Sequence, residues 1–194
     1  MTTAVRSVLG PAFALLIVLT LITGVAYPLL VTAVAQVAFP HQANGSFLTT
    51  ADGQTIGSSL IGQAFGDDTY FWGRLSAAGK DGYDGTASAG SNLGPTSQDL
   101  IKRITADAER IQAANGGGPV PIDLITTSAS GLDPNISPEA AEYQVARVAA
   151  ARGMAEADVR AAVARHTQQP TLGFLGKPVV DVLELNLDLD GLLS

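Results

Sequence analysis

The chain contains no cysteine, only two histidines and few charged residues. The absence of cysteine excludes disulfide bridges, thiol catalysis, cysteine-bound zinc and iron–sulfur clusters. The two histidines, His41 and His166, lie far apart in the sequence and fit no metal-ligand spacing, so no metal site is expected. Charged residues make up 15% of the 194 residues, against roughly 25% in soluble domains. The net charge of −7 argues against nucleic acid as a partner, because nucleic-acid-binding proteins present a basic face.

The shortage of charge is greatest near the N-terminus, where residues 7–51 contain no Lys, Arg, Asp or Glu. Residues 8–38 form a nearly uninterrupted apolar run, and about 20 such residues cross a bilayer as a helix. We therefore predict a transmembrane helix over residues 8–38. Pro11 is expected near its start, and Gly24 and Pro28 could kink it late in the run.

Two other interpretations of this run were weighed against a retained helix. A core helix of a soluble domain is usually interrupted by charge, and this run is not. A signal peptide has an apolar region of only about 7–15 residues, but Ala33-Val34-Ala35 resembles a cleavage site. Cleavage there would leave a freestanding secreted or surface-anchored binding domain. A mature N-terminus at Gln36, found by N-terminal sequencing, would favour that alternative.

The charges that flank the helix predict its orientation. Arg6 lies on the short N-terminal side, whereas the first charge on the other side is Asp52. Positive residues stay in the cytoplasm, so residues 1–7 are expected inside. The soluble domain, residues 40–194, is expected outside the cell membrane.

Small residues on the predicted transmembrane helix are spaced to let another helix approach closely. Gly10 and Ala14 are four residues apart, as are Thr20 and Gly24, and each pair lies on one helix face. We therefore predict that these two faces pack against helices of a membrane partner.

Apolar periodicity predicts three helices in the remainder of the chain, over residues 97–114, 138–152 and 156–166. Leucines that alternate with polar residues over residues 179–189 predict a half-buried strand. Helices and strands are mixed without a regular βαβ rhythm. The predicted fold is therefore a single N-terminal transmembrane helix plus one α+β soluble domain.

Sequence signals at the ends of these helices fix their expected boundaries. Thr96 and Asp99 resemble a capping pair for the first helix. Ser137 is the expected N-cap of the second helix, Pro138 its first residue and Gly153 its stop.

Three motifs that suggest chemistry are weak. Gly73 to Lys80 resembles a phosphate-binding loop, but five residues separate its glycines instead of four and an acid follows the lysine. An independent nucleotide-binding protein would lose ATP binding on Lys80→Ala in calorimetry. Asp188-Leu-Asp190-Gly191 resembles part of a calcium loop without its Glu, and a solvated strand face explains it better.

An aromatic cluster beside an arginine is the third motif. Tyr70, Phe71, Trp72 and Arg74 have the composition of an interaction hot spot, although a small core with one surface arginine explains them slightly better. Residue chemistry alone therefore predicts a membrane-anchored outer domain with no evident catalytic residues.

Ordered sequence blocks along almost the whole chain resemble the C subunits of Kdp-type potassium-transporting ATPases. After the apolar run come Gly57-Ser58-x-Leu60-Ile61-Gly62-Gln63-x-Phe65, Tyr70-Phe71-x-x-Arg74-x-Ser76-Ala77, Gly90-Ser91-Asn92-Leu93-Gly94-Pro95-Thr96, Ser130-Gly131-Leu132-Asp133-Pro134 and Val182-Leu183-x-Leu185-Asn186-Leu187. Between the last two lies Ala140-Ala141-x-x-Gln144-x-x-Arg147-Val148-Ala149. The chain departs from the family pattern at a few positions, among them Asp181, where Asn is expected.

The resemblance implies an accessory, non-catalytic subunit of an ATP-driven high-affinity K⁺ import complex. Its expected partners are a channel-like subunit and a P-type subunit that hydrolyses ATP. The family description makes this subunit a catalytic chaperone that raises the ATP affinity of the hydrolysing subunit. ATP and K⁺ would be handled by the complex, with no cofactor bound tightly by this chain.

The resemblance also suggests which residues act. No residue is expected to be catalytic. Contacts with partner subunits are predicted at Gln63, Tyr70, Arg74, Ser91 and Asn92. Residues Ser130, Gly131 and Gln144 are the candidates for a nucleotide role.

The predicted orientation can be checked by protease accessibility in sealed vesicles. We expect trypsin to digest the soluble domain in right-side-out vesicles, because the domain would face the added protease. Inverted vesicles should protect the domain until detergent opens them. Protection in right-side-out vesicles would show that the domain is cytoplasmic.

Overall fold

The apolar N-terminal run is helical in a computed structural model that describes residues 2–50 and 52–192. Helix α1 covers Thr2–Leu21, a π-helical turn covers Ile22–Ala26, and helix α2 covers Tyr27–Ala38. The part from Ser7 to Ala38 is 32 residues long, has no buried residue, and is apolar enough to cross a membrane. The predicted transmembrane helix is therefore present as one continuous helical stretch.

Pro11 does not lie where the sequence suggested, whereas the helix is irregular near Gly24 and Pro28, as expected. Pro11 lies inside α1 and not near its start. The π-helical turn contains Gly24 and is followed by Pro28. Since proline has no N–H to complete the normal bond to the residue four before it, a wider turn at this point is physically reasonable. The Thr23 hydroxyl donates to the carbonyl of Leu19 within the same region, at 2.7 Å.

The chain divides into two compact units, one ending at Phe47 and the other beginning at Leu48. A short helix, α3 (Pro40–Ala43), follows the long apolar stretch. The remaining elements, in chain order, are β1 (Phe47–Thr49), β2 (Thr55–Ser58), α4 (Gln98–Ala114), α5 (Ile122–Ile125), β3 (Asn135–Ile136), α6 (Pro138–Arg152), α7 (Glu156–Arg165), β4 (Thr167–Gln168), β5 (Val179–Asp181) and α8 (Val182–Leu189). Helices and small sheets in this order confirm the predicted α+β class.

Two small sheets accompany the helices. Strands β1 and β2 form a two-stranded sheet, and a three-stranded antiparallel sheet has the order β3-β5-β4. Val180 in the central strand pairs with Ile136 on one side and Thr167 on the other. Because Val180 is completely buried, the middle of this sheet belongs to the core.

Most helix ends follow the predicted signals. The Ser137 hydroxyl accepts from the amide of Ala140 at 3.0 Å, and Gly153 ends α6 in the left-handed conformation. At the start of α4 the prediction was wrong by one residue: Ser97, not Thr96, is the N-cap. Its side chain accepts from the amide of Leu100.

Helix α6 lies at the centre of the hydrophobic core. It packs against α7 and strand β5, and α7 in turn packs against α8. The predicted apolar faces of α6 and α7 are buried as expected. The core consists of Phe71, Ile111, Leu124, Ile136, Ala140, Ala141, Val145, Val148, Ala149, Val159, Ala162, Val163, Val180, Val182 and Leu185.

The strand predicted over residues 179–189 is wrong beyond its third residue. The chain is extended only over Val179–Asp181 and then forms helix α8. Asp181 causes the change, because its side chain accepts the amide of Glu184 at 2.8 Å and so caps the helix. Leu183, Leu185 and Leu187 are buried, but Asn186 between them is buried as well, which an amphipathic strand would not allow.

Burial of the Asp181 carboxyl raises its pKa to about 6, from a usual value of about 4. Between these values the folded state holds a proton that the unfolded state has lost, so stability falls as the pH rises through this window. Asp181→Asn keeps the capping oxygen and removes the charge. We expect the variant to gain about 1–3 kcal/mol over the native chain at neutral pH and nothing near pH 4.

Urea unfolding of the full chain in detergent, followed by fluorescence of the single tryptophan, measures this difference at several pH values. Asp81→Asn is the matched control, since Asp81 is exposed. A gain for Asp181→Asn that does not change with pH would contradict the buried titration.

Candidate functional site

Two buried side-chain amides hold residues 67–72, which we call the clamped segment. Gln144 on α6 accepts from the Trp72 amide at 2.8 Å and donates to the Trp72 carbonyl at 3.1 Å. Asn186 on α8 accepts from the Phe71 amide at 2.8 Å and donates to its carbonyl at 3.0 Å. The two amides therefore satisfy the backbone donors and acceptors of this segment, as neighbouring strands do in a sheet.

Arg147 extends the same network from α6. Its guanidinium donates to the carbonyls of Asp68 and Tyr70, to Asn115 and to Gln144, at 2.7–3.0 Å. It also lies over the Trp72 ring, 4.2 Å from the ring centre. Burial lowers the pKa of Arg147 to about 10, so it remains charged at neutral pH.

Arg152, at the end of α6, ties the clamped segment to the end of α8. It donates to the carbonyls of Thr69 and Leu189 and forms a 2.8 Å ion pair with Asp190. The Tyr70 hydroxyl donates to the same Asp190 carboxylate at 3.1 Å. Tyr70, predicted as a partner contact, is thus engaged within the domain and only half-buried.

Four irregular segments come together in what we call the loop platform, formed by residues 60–63, 74–78, 88–91 and 127–134. The amide of Gly62 donates to the Leu132 carbonyl, and Leu75 bridges Thr127 as a short parallel pair. The Ser76 hydroxyl donates to the carbonyl of Gly131 at 2.6 Å. These bonds join segments that are far apart in the sequence into one surface.

At Gly131 the segments of the loop platform approach one another very closely. It has a positive φ of 69°, and a Cβ there would lie 2.6 Å from the Ala89 carbonyl and 2.8 Å from the Ala78 amide. Both the conformation and the space therefore require glycine. The nucleotide role predicted for Gly131 remains untested, but this packing role explains the residue without a ligand.

Arg74 lies at the edge of the platform and lines three depressions, two of which it shares with Asp133. Its guanidinium forms a 2.9 Å ion pair with Asp133 and remains about one quarter exposed. One shared depression, of about 700 Å³, also contains Ile122, Asn135 and Lys177. The other, of about 480 Å³, contains Leu60, Ile61 and Ser130.

The remaining predicted contacts lie on or beside this platform. The Gln63 side chain donates to the Ile56 carbonyl at 3.2 Å and lies against Gly57, where a Cβ would require Gln63 to move. Asn92 is exposed and has a positive φ of 51°, which Asn tolerates better than most residues. The platform thus unites Gln63, Arg74 and Ser91 of the predicted partner contacts with Ser130 of the predicted nucleotide residues.

Gln144 does not belong with the other nucleotide candidates. It is completely buried, and both ends of its amide bind the clamped segment. Ser130 is exposed and donates no bond to Gln144, and its hydroxyl accepts from the Leu132 amide. A nucleotide site built on all three residues would require the network around Gln144 to open.

The weak motifs resolve into structural roles. The residues from Gly73 to Lys80 are irregular, and no helix follows until α4, so they lack the helix start that holds a phosphate. The prediction that Asp188 and Asp190 lie on a solvated strand face is wrong, because both residues lie at the end of α8. Asp188 pairs there with Arg165 and His166, at 2.6 and 3.0 Å. Within residues 2–50 and 52–192 no cluster of three metal-binding side chains occurs.

Sequence reasoning missed Arg147, Arg152 and Asn186 as the residues that order the site. The sequence did contain a signal for Arg147, and the same signal applies to Gln144. Both residues lie on the predicted buried face of α6, among alanines and valines. A polar residue on a buried face is hydrogen-bonded in nearly all folded proteins. Its partner, however, lies about 75 positions away in the chain and has no local signal.

Together these features define a class of protein. The chain is a single-helix membrane protein whose soluble domain presents an ordered, mostly non-helical surface, and its buried polar groups bind its own backbone. Residues 9–191 match the model of the family described as K⁺-transporting ATPase, c chain. The chain belongs to this family.

Individual relatives agree with the family match over nearly their whole length. The potassium-transporting ATPase KdpC subunit of Sorangium cellulosum is 59% identical over 185 residues, covering 94% of this chain and 97% of the relative. The corresponding proteins of Herpetosiphon aurantiacus and Caulobacter vibrioides are 53% and 54% identical, over 191 and 182 residues. They cover 97% and 94% of this chain, and 98% and 92% of the relatives.

The clamp formed by Gln144 predicts a large loss of stability on Gln144→Met. The substitution conserves the side chain's shape but leaves the Trp72 amide, the Trp72 carbonyl and one Arg147 nitrogen without their partner. We expect the free energy of unfolding to fall by about 2–4 kcal/mol, measured by urea unfolding of the full chain in detergent. Gln168→Met is the matched control, since Gln168 is exposed, and should change stability by less than about 0.5 kcal/mol. Equal effects of the two substitutions would refute the clamp.

Proposed function

We propose that this chain is an accessory, non-catalytic subunit of an ATP-driven K⁺ import complex. The family match over residues 9–191 carries this proposal, because it includes both the apolar helix and the soluble domain. The partners are a channel-like subunit that carries K⁺ and a P-type subunit that hydrolyses ATP. These partners handle K⁺ and ATP, and this chain binds and positions them.

The loop platform is the surface through which the domain binds its partner. Leu60 and Ile61 are exposed there beside the Arg74–Asp133 ion pair, so apolar and charged groups occur together. Exposed apolar groups beside an anchored arginine are typical of the centre of a protein interface. Since the platform is fixed by its own hydrogen bonds, binding orders few additional groups and loses little entropy.

The long apolar helix is the second attachment to the complex. A Cβ on Gly10 would meet nothing within 4 Å, and one on Gly24 would meet only Thr20 of the same helix. The faces that contain Gly10 with Ala14 and Thr20 with Gly24 are therefore open to close approach by a partner helix.

An effect on ATP affinity follows from binding alone. The orientation that we propose places residues 1–7 in the cytoplasm and the soluble domain outside, away from cytoplasmic ATP. The subunit then acts as a catalytic chaperone by binding more tightly to the partner conformation that holds ATP well. Linkage requires that ATP strengthen the binding of this subunit by the same factor.

The test is reconstitution of the two larger subunits with and without this chain. We expect the three proteins to co-purify, and the apparent ATP affinity of the pump to rise about 5-fold or more when this chain is present. A chain that remains separate from the larger subunits would overturn the proposal. Co-purification with unchanged ATP affinity would retain the accessory subunit and remove the chaperone role.

A matched pair of substitutions tests the docking surface. Ile61 on the platform is 42% exposed and Ile101 on α4 is 49% exposed, so Ile→Asp costs similar stability at both sites. We expect Ile61→Asp to weaken assembly by about 10-fold or more and Ile101→Asp to have little effect. The opposite order would place the interface on α4.

A further inference from the structure

The connection between β4 and β5 carries an apolar tip that the proposed function does not use. Residues 169–178 link the two strands, and Thr171 and Leu175 exchange two backbone hydrogen bonds of 3.0 Å across the turn. Between them Leu172 and Phe174 project into solvent, 78% and 73% exposed, and Leu175 is also exposed. The tip, residues 171–175, is therefore a hydrogen-bonded turn whose large side chains are not packed on the domain.

The backbone of the tip also has an unusual conformation. Leu172 has a positive φ of 56°, in the left-handed region that branched and bulky residues rarely occupy. Gly173 follows with a φ of 80° and donates to the Pro170 carbonyl. The domain thus holds a leucine in a strained turn and does not bury it. Strained conformations of this kind are concentrated where a residue has a role beyond folding.

The charge around the tip differs from that of the rest of the domain. Residues 159–180 contain no Asp or Glu, the longest such stretch after Asp52, in a chain of net charge −7. Lys177 lies just beyond the tip and is exposed. Lys177 also lines a depression that contains Asp123, Asp133 and Glu139, but the tip itself carries no charge. An apolar tip followed by an exposed lysine matches a surface that is apolar inside and anionic outside.

We propose that the tip, with Leu172, Phe174 and Leu175, inserts into the interfacial region of the bilayer that the N-terminal helix crosses. Every copy of the domain is tied through residues 39–47 to that helix, so lipid is present at high effective concentration. Aromatic and aliphatic side chains are stabilised at the boundary between headgroups and acyl chains. Lys177 is then placed to meet anionic headgroups.

A convex tip fits lipid better than it fits a protein groove. A protein interface places large apolar side chains in closely packed pockets, and such an interface would need a cleft on the partner. Lipid needs no complementary shape. The inference depends on the membrane helix and on the tip, and not on the proposed role in K⁺ import.

The absence of cysteine allows a direct test on the full chain. Thr171→Cys carries an NBD fluorophore at the tip, and the labelled chain is reconstituted alone into vesicles that contain anionic phospholipid. We expect doxyl-labelled lipid to quench this probe several-fold more than a probe at Ala113→Cys, an exposed position on α4. Leu172→Asp with Phe174→Asp should remove the difference, because charged side chains do not enter the interface.

Each other result overturns the inference. Equal quenching at positions 171 and 113, or quenching that survives the two aspartates, would show that the tip does not insert. Shielding of the tip probe that grows with the protein-to-lipid ratio would indicate contact with a second copy. Shielding that requires the larger subunits would indicate protein docking. Tryptophan fluorescence of each labelled chain verifies that the domain has remained folded.

Discussion

The stability of the soluble domain depends on side chains that bind backbone where no strand is available. The clamped segment crosses the core without a neighbouring strand, yet Phe71 within it is completely buried. Its amides and carbonyls are bonded instead by Gln144, Asn186 and Arg147, from two helices. An unbonded buried amide costs about as much as several apolar contacts contribute, so removing one of these side chains affects the whole segment.

This arrangement also shows what several buried polar residues of the soluble domain bind. Gln144, Arg147 and Arg152 have the chemistry of ligand-binding residues, but their donors and acceptors bind the protein itself. The groups that remain available lie on the loop platform, where Arg74 is partly exposed beside apolar side chains. A rigid surface of this kind suits binding of a partner, and binding is sufficient for an accessory subunit.

Attachment at several places holds such a subunit in position more firmly than a single contact would. The apolar helix fixes the chain in the membrane, and the platform, as proposed, binds a partner on one side of it. A third contact through the apolar tip would limit rotation of the domain and lower the entropy lost when the platform docks. Each contact can be weak, because the covalent chain makes the later ones intramolecular.

Much of this protein is determined by local sequence. Residues 8–38 form a helix that is long and apolar enough to cross a membrane, and α6 begins and ends where Ser137, Pro138 and Gly153 place it. The family blocks contain residues of the loop platform but gave no indication that these segments lie together. Only the tertiary structure decided that Gln144 and Asn186 bind residues 71 and 72. The physical reason is that periodicity and capping act over a few residues, whereas satisfying a buried amide depends on a partner more than 70 positions away.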